Sequence, residues 1–376
     1  MANTAASEQT MDRVLDRVVV TIAERGLATP QTPVLLMVSG GSDSTALAYL
    51  GRELADAGAV GPLAMLHVNH QLRGKDSDAD AEFVQELASA LDIPLFVCQI
   101  DVPRLVAESG ENMEAVARRE RYVAANEALA SLCQHVGAPV EAGRVFTAHT
   151  QDDRVESFYM RSIVGTGPGG FRSMLYANGR IVRPCLDVSR QDLRDYLVAR
   201  AELGLACVRD GQGDLWREDA TNAHTDQFRA FVRHKIVPVA QERNPQLLDT
   251  LCRTMNLIAD EDDLLDQMAS MIAREGVRQI DQADPAGGFL LLPDFGPNPL
   301  PLKRRVVVSL LQKMLGADAR VEAASVQAVL AQFDAAGAPV SGAVDNIQGN
   351  LAVSANKQGV CIEPMQAFRS RRKKDK

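Results

Sequence analysis

Residues 39–44 read Ser-Gly-Gly-Ser-Asp-Ser, directly after the apolar run VLLMV (34–38) and directly before a helical pattern that opens at Thr45. A strand, a glycine turn and a helix N-terminus in that order make an anion site: glycine lets backbone N–H groups approach phosphate oxygens, and the helix dipole favours negative charge. Ser39, Ser42 and Ser44 add hydroxyl donors around Gly40 and Gly41. Asp43 is the informative residue, because a carboxylate beside phosphate is repulsive unless Mg2+ or an ammonium group lies between them. The plainer alternative is a serine-rich turn whose Asp caps the helix. The segment is neither a Walker A loop, for no GKS or GKT follows, nor a G-x-S-x-G nucleophile elbow.

A second group lies at 149–156. Asp153 and Glu156 are three apart at the start of a predicted helix, on one face, with Asp152 and His149 beside them. Such a face suits an ammonium group or a polar base; acidic residues in a first helical turn also occur for the dipole alone. His67, His70 and His149 lie near the ends of predicted strands, where neutral imidazoles serve as nucleotide contacts as well as metal ligands. Arg118 and Arg121 share a helix face, as do Arg229 and Arg233, and arginine is suited to forked phosphate contact. Gly165–Gly170 formally contains G-x-G-x-x-G but follows a helix, so it is read as a loop bordering the site.

Elements must position these groups. The runs 34–38, 62–68, 94–100 and 144–149 are short and apolar, and between them 45–57, 78–91, 112–135 and 152–164 have helical periodicity, after a lead-in helix at 9–25. Strands apolar on both faces and separated by helices predict an α/β domain with a doubly wound, mostly parallel sheet. Ser189 and Asp192 have capping-box spacing and open another helix. A long helical pattern at 246–273 and a Gly/Pro/Asp-rich stretch at 280–301 mark a change of texture. With 376 residues, at roughly 150 per domain, the expected division is a catalytic domain at 1–240, a smaller α+β domain at 241–368 and a solvated basic tail at 369–376. The six cysteines, none in a CxxC pair, argue against a disulfide framework and a structural zinc. No apolar run reaches the roughly 18 residues of a membrane helix, and the N-terminus lacks a signal-peptide pattern, so a cytoplasmic protein is expected. A net charge of −9 excludes a wholly basic nucleic-acid coat but not a local basic surface.

Six ordered motifs then resemble one family. Ser39–Ser44, His67-Val68-Asn69-His70-Gln71-Leu72-Arg73, Glu114–Tyr122, Ala148–Ser157, Arg183–Arg190 and Glu218–Asn222 are similar, in order and spacing, to the tRNA(Ile)-lysidine synthetases among the PP-loop, N-type ATP pyrophosphatases. The resemblance covers 34 to about 238. It implies a Rossmann-like PP-loop fold that uses ATP and Mg2+ to adenylate the C2 oxygen of the wobble cytidine of a CAU-anticodon tRNA(Ile), after which L-lysine displaces AMP. It implies ATP binding by Ser39, Gly40, Gly41, Ser42, Asp43 and Ser44, with Asp43 toward Mg2+, and substrate contact by His149, Asp153 and Glu156. It further implies tRNA or phosphate contacts from His70, Arg73, Arg118, Arg121, Arg183, Arg229 and Arg233, and from the C-terminal region through Lys303, Arg304, Arg305 or the tail. Thr150, Arg154 and Ala230 stand where the family usually has His, Gln and Asn. A homodimer is compatible with the sequence. The rival readings are a tRNA 2-thiolating enzyme of the same superfamily, disfavoured by the scattered cysteines, and a tRNA-binding module without catalysis.

Overall fold

The computed structural model describes residues 2–71, 75–218, 228–316 and 319–374. The chain divides into two compact units, Met1–Leu257 and Ile258–Lys376.

The first unit holds a six-stranded sheet: β1 (Val34–Met37), β2 (Leu63–Asn69), β3 (Leu95–Gln99), β4 (Arg144–Phe146), β5 (Ala177–Asn178) and β6 (Ile181–Val182), in the order β3-β2-β1-β4-β6-β5. All pairings are parallel except that of β5 with β6. Its helices are α1 (Ala2–Glu24), α2 (Ser42–Asp56), α3 (Lys75–Ala90), α4 (Val102–Ser109), α5 (Met113–His135), α6 (Gln151–Val164), α7 (Arg190–Glu202), α8 (Phe228–Phe231) and α9 (Val237–Arg243). Strand residues alternate between two cores. Val34, Leu36 and Met65 pack with Val18 of α1, Leu47 of α2, Phe83 of α3 and Leu193 of α7. Leu35, Ala64, Leu66 and Val145 pack on the opposite face with Ala125, Ala128 and Leu129 of α5. Helices therefore cover both faces, as the apolar strands required.

The strand order reverses between β1 and β4, and in such sheets ligands bind outside the carboxyl ends of the strands at that switch point. The loop at 38–41 follows β1 and the segment 147–150 follows β4, so the topology brings together the two groups of chemically suggestive residues. α2 begins at Ser42 rather than Thr45, so Asp43 and Ser44 lie in the first helical turn and Gly41 is its N-cap.

The second unit is α+β, with a five-stranded antiparallel sheet of β7 (Val277–Gln279), β8 (Phe289–Leu291), β9 (Val344–Ile347), β10 (Leu351–Asn356) and β11 (Gly359–Pro364), ordered β7-β8-β11-β10-β9. Phe289, Leu291, Val353, Val360 and Ile362 pack against Leu302, Val306 and Leu310 of α11 (Leu300–Leu315) and Val329 of α12 (Ala323–Leu330). The boundary between the units falls inside α10 (Leu247–Gly276), the helix foreseen at 246–273. The basic C-terminus is not simply a solvated tail: α13 runs from Met365 to Lys374, anchored by the buried Phe368 and by Arg371, which pairs with the buried Glu363 of β11. Of the basic residues expected to meet RNA, Arg305 pairs with Asp262 and Asp266, and Lys303 donates to the Gly296 carbonyl at 2.7 Å. Arg304 stays exposed.

Candidate active site

The glycine loop is held open by its own hydroxyls. Gly40 has φ +93°, which disfavours any side chain, and a Cβ there would also meet Arg217 Cγ at 3.4 Å. The Ser39 N–H donates to Ser44 Oγ at 3.1 Å, and Thr45 Oγ1 donates to the Gly40 carbonyl at 3.1 Å. The Arg217 N–H donates to the Gly40 carbonyl at 2.9 Å, and its side chain pairs with Asp80 and Asp210, so the segment around Trp216 is strapped to the loop. A cavity of about 840 Å³ opens in front; among its lining residues are Ser39, Ser42, Asp43, His149, Asp153 and Arg190. Arg194, Trp216, Arg217, Arg233 and His234 complete much of its wall.

The second group enters from the N-terminus of α6. Thr150 is fully buried and caps this helix: its N–H and hydroxyl both donate to Asp153 Oδ2, at 2.9 and 3.1 Å. A polar residue that caps the helix and orients Asp153 explains how Thr stands where the family usually has His. Burial opposes ionisation of Asp153, but Arg190 and the Thr150 N–H hold its carboxyl below the usual range. The Thr147 hydroxyl shares a hydrogen bond of 2.9 Å with His149 Nδ1, fixing the ring against the cavity wall.

Arg154 turns away from the cavity. Its guanidinium is 1% exposed and donates to the Tyr176 hydroxyl at 3.1 Å and to Asn256 Oδ1 at 2.8 Å. Tyr176 in turn donates to Asp187, which also accepts from Thr21 of α1. The departure from the family's Gln thus serves a buried network joining α1, α6 and the start of α10.

Four carboxylates and three guanidinium groups meet beside the cavity; Asp43, Asp153, Arg190 and Arg233 line it, whereas Asp152, Arg229 and Glu156, which was expected to touch substrate, do not. Arg190, the first residue of α7, points Nε to Asp43 Oδ2 at 3.1 Å, Nη2 to Asp153 Oδ1 at 3.2 Å and Nη1 to Glu156 Oε1 at 3.5 Å. Its backbone N–H donates to Asp152 Oδ2 at 2.7 Å. Glu156 is 2% exposed and takes a forked contact from Arg233, at 2.6 and 3.1 Å, with Arg229 Nε at 3.5 Å. A π-helical turn, Val232–Ile236, carries Arg233 and His234 to the wall. At Asp43, burial outweighs the attraction of Arg190 and raises the carboxyl's pKa, while the surrounding carboxylates raise that of Arg190 against its own burial.

The remaining expected contacts form a cationic flank. Arg118 lies over the Tyr122 ring, and Arg121 Nη2 lies 3.3 Å from His70 Nε2. Arg183 is buried and donates to the Leu175 carbonyl. Burial and then Arg121 lower His70 to about 4. Burial lowers His149 to about 4 as well, and Arg183, Arg229 and Arg118 push in the same direction against the opposing pull of Asp153. None of Arg118, Arg121, Arg183 or His70 is a lining residue of the cavity. Arg73 lies outside the described residues, as does Asp219–Asn222 of the last motif.

The low value at His149 sets an acid limit. Folded His149 stays neutral down to about pH 4, whereas its unfolded counterpart takes a proton near 6.5, so the unfolded state binds more protons in between. Stability from this residue is complete above about pH 6.5 and is lost as pH falls toward 4. Urea denaturation of the protein and of His149→Gln across this window should give a shallower pH slope in the variant; equal slopes would refute the assignment.

Arg190, Arg194, Trp216 and Arg217 were not singled out as site residues from sequence. The available signal was local: Arg190 follows the capping Ser189 inside the Arg183–Arg190 motif, and the first residue of a capped helix has a fixed backbone.

A family model described as a PP-loop domain matches residues 8–240. The chain belongs to the PP-loop family. Within it, a tRNA(Ile)-lysidine synthase of Thermus thermophilus is 34% identical over 286 residues, 76% of this chain and 50% of that protein. The tRNA(Ile)-lysidine synthase of Geobacter sulfurreducens is 32% identical over 322 residues, 85% of this chain and 63% of that protein. The chain thus spans between half and two thirds of the length of these curated relatives. Among solved structures, the U34-tRNA thiolase NcsA of Methanococcus maripaludis is similar at a TM-score of 0.49 and 15% identity, covering 67% of this chain and 80% of that one. Among the described residues, no helix of this PP-loop protein is long and apolar enough to cross a membrane.

Proposed function

We propose that this chain makes lysidine: it joins L-lysine to C2 of the wobble cytidine of a CAU-anticodon tRNA(Ile), using ATP. One observation carries the reading: the glycine loop and the His149–Asp153 face open on one cavity, so a nucleotide phosphate and a second polar substrate can meet there. In the first step the cytidine O2 attacks the α-phosphorus of ATP; an O–P bond forms, the Pα–O bond to the β-phosphate breaks, and pyrophosphate leaves. In the second step the lysine ε-amine attacks C2; a C–N bond forms, AMP leaves with its oxygen, and the amine loses a proton.

The loop amides and the hydroxyls of Ser39, Ser42 and Ser44 hold phosphate oxygens, and the start of α2 adds its dipole. Asp43 is a single carboxylate at the phosphate loop, which fits the way Mg2+ is usually held, by one or two carboxylates together with substrate phosphates. Mg2+ held there by Asp43 would supply positive charge against the departing pyrophosphate. Asp153 faces the cavity and is assigned the lysine ammonium. Glu156, enclosed by guanidinium groups, acts through Arg229 and Arg233, which it holds in place. Arg118 and Arg121, with neutral His70 beside them, are assigned to tRNA phosphates, a contribution that weakens with salt, whereas Arg183 is buried against the Leu175 carbonyl. Sulfur transfer finds less support: among the described residues no cysteine lines the cavity, and complete burial pushes the Cys185 thiol up to about 12, away from reactivity.

The deciding measurement is release of AMP and pyrophosphate from ATP with CAU-anticodon tRNA(Ile), with and without lysine. Pyrophosphate release that depends on tRNA, with AMP release that also depends on lysine, is expected. AMP release that needs a sulfur donor instead, or no ATP turnover, would overturn the reading.

A further inference from the structure

Arg190 is the most heavily engaged side chain of the site: three of its nitrogens face three different carboxylates, Asp43, Asp153 and Glu156. Its backbone is pinned, because Ser189 and Asp192 form a reciprocal cap at the start of α7 and the Arg190 N–H is held by Asp152. The side chain beyond that anchor is long and 18% exposed, so it can turn about a fixed Cα. The carboxylate oxygen it holds on Asp43 belongs to the residue best placed for a metal beside the phosphate loop. A guanidinium and a divalent cation cannot share that oxygen, since like charges at such a distance repel. Phosphate offers the guanidinium an alternative partner, for its planar donor fork matches phosphate oxygens as well as carboxylates.

We propose that Arg190 is a positioning residue that competes with the divalent cation for Asp43. Nucleotide phosphates relieve the competition by drawing the guanidinium away, so metal and nucleotide enter with positive linkage and the protein alone takes up the metal poorly. By reciprocity the metal strengthens nucleotide binding by the same factor. The inference rests on reading this cavity as an ATP and Mg2+ site, and does not depend on which base or amine is joined there.

Mn2+ titrated into nucleotide-free protein, followed by the electron paramagnetic resonance signal of the free ion, tests it. Arg190→Gln should bind Mn2+ about tenfold more tightly than the unaltered protein, within the usual range of coupling between sites. The gain should vanish in Arg190→Gln combined with Asp43→Asn. Arg190→Met, which keeps bulk without charge, should show the same gain, so that misfolding of one variant leaves the other to decide. Variants that bind no more tightly, or a gain that survives loss of Asp43, would overturn the proposal. Because the titration contains no tRNA, lysine or turnover, its failure and the failure of the lysidine reading are told apart.

Discussion

Asp43→Asn is expected to lower tRNA-dependent ATP–pyrophosphate exchange by about a thousandfold, the scale on which removing one preorganised electrostatic contact to a developing charge acts. The substitution keeps the shape of the first turn of α2 and removes the charge. Folding should suffer little: the side chain is partly exposed, and a carboxylate in a first helical turn is worth about 0.3–1 kcal/mol. A loss of exchange with an unchanged urea midpoint therefore separates a role in the chemistry from a role in the fold. Exchange surviving at the unaltered rate would remove Asp43 from the mechanism and leave it as an acidic residue in the first turn of α2.

Glu156→Gln should act through both stability and activity. Three guanidinium groups converge on this carboxylate, two from the segment around the π turn and one from α7. Removing one partner of a buried ion pair costs about 3 kcal/mol, and here the loss falls on Arg229 and Arg233, since Arg190 keeps Asp43 and Asp153. Arg229 and Arg233 then lose their anchor, and kcat/KM for tRNA should fall further than kcat/KM for ATP, whose loop is held independently by Ser44, Thr45 and Arg217. A double-mutant cycle offers a check, since Arg233→Ala in the Glu156→Gln background should cost less than in the unaltered protein. An unchanged denaturation midpoint together with unchanged kinetics would show that the cluster is incidental.

The outline of the first unit was legible because its signals are local. Apolar runs of strand length, the Ser189/Asp192 cap and the glycine turn after β1 each specify their own structure with little help from the rest of the chain. The PP-loop resemblance and the parallel sheet are accordingly found as expected. Arg190 was not legible in the same way, for nothing in its sequence neighbours says that Asp43, 147 positions earlier, will lie at its side chain. That encounter depends on the strand reversal between β1 and β4, which brings the starts of α2, α6 and α7 together. Arg154 shows the converse. It adjoins Asp153 in the sequence, but successive helical residues point in different directions, and its charge is spent on Tyr176, Asn256 and Asp187 behind the site. In the same way the basic C-terminus read as solvated because its charges are obvious and its one apolar anchor, Phe368, is not.

Trp216 is the single tryptophan of the chain, and it stands on the cavity wall with the Arg194 guanidinium 5.6 Å from its ring centroid. A positive charge over an indole alters its emission, and whatever enters the cavity changes the surroundings of both groups. The protein therefore carries an intrinsic optical probe at the place where binding is expected, with no second indole to dilute the signal. Nucleotide, metal and amine can each be titrated by fluorescence on the unlabelled chain, one at a time and in either order.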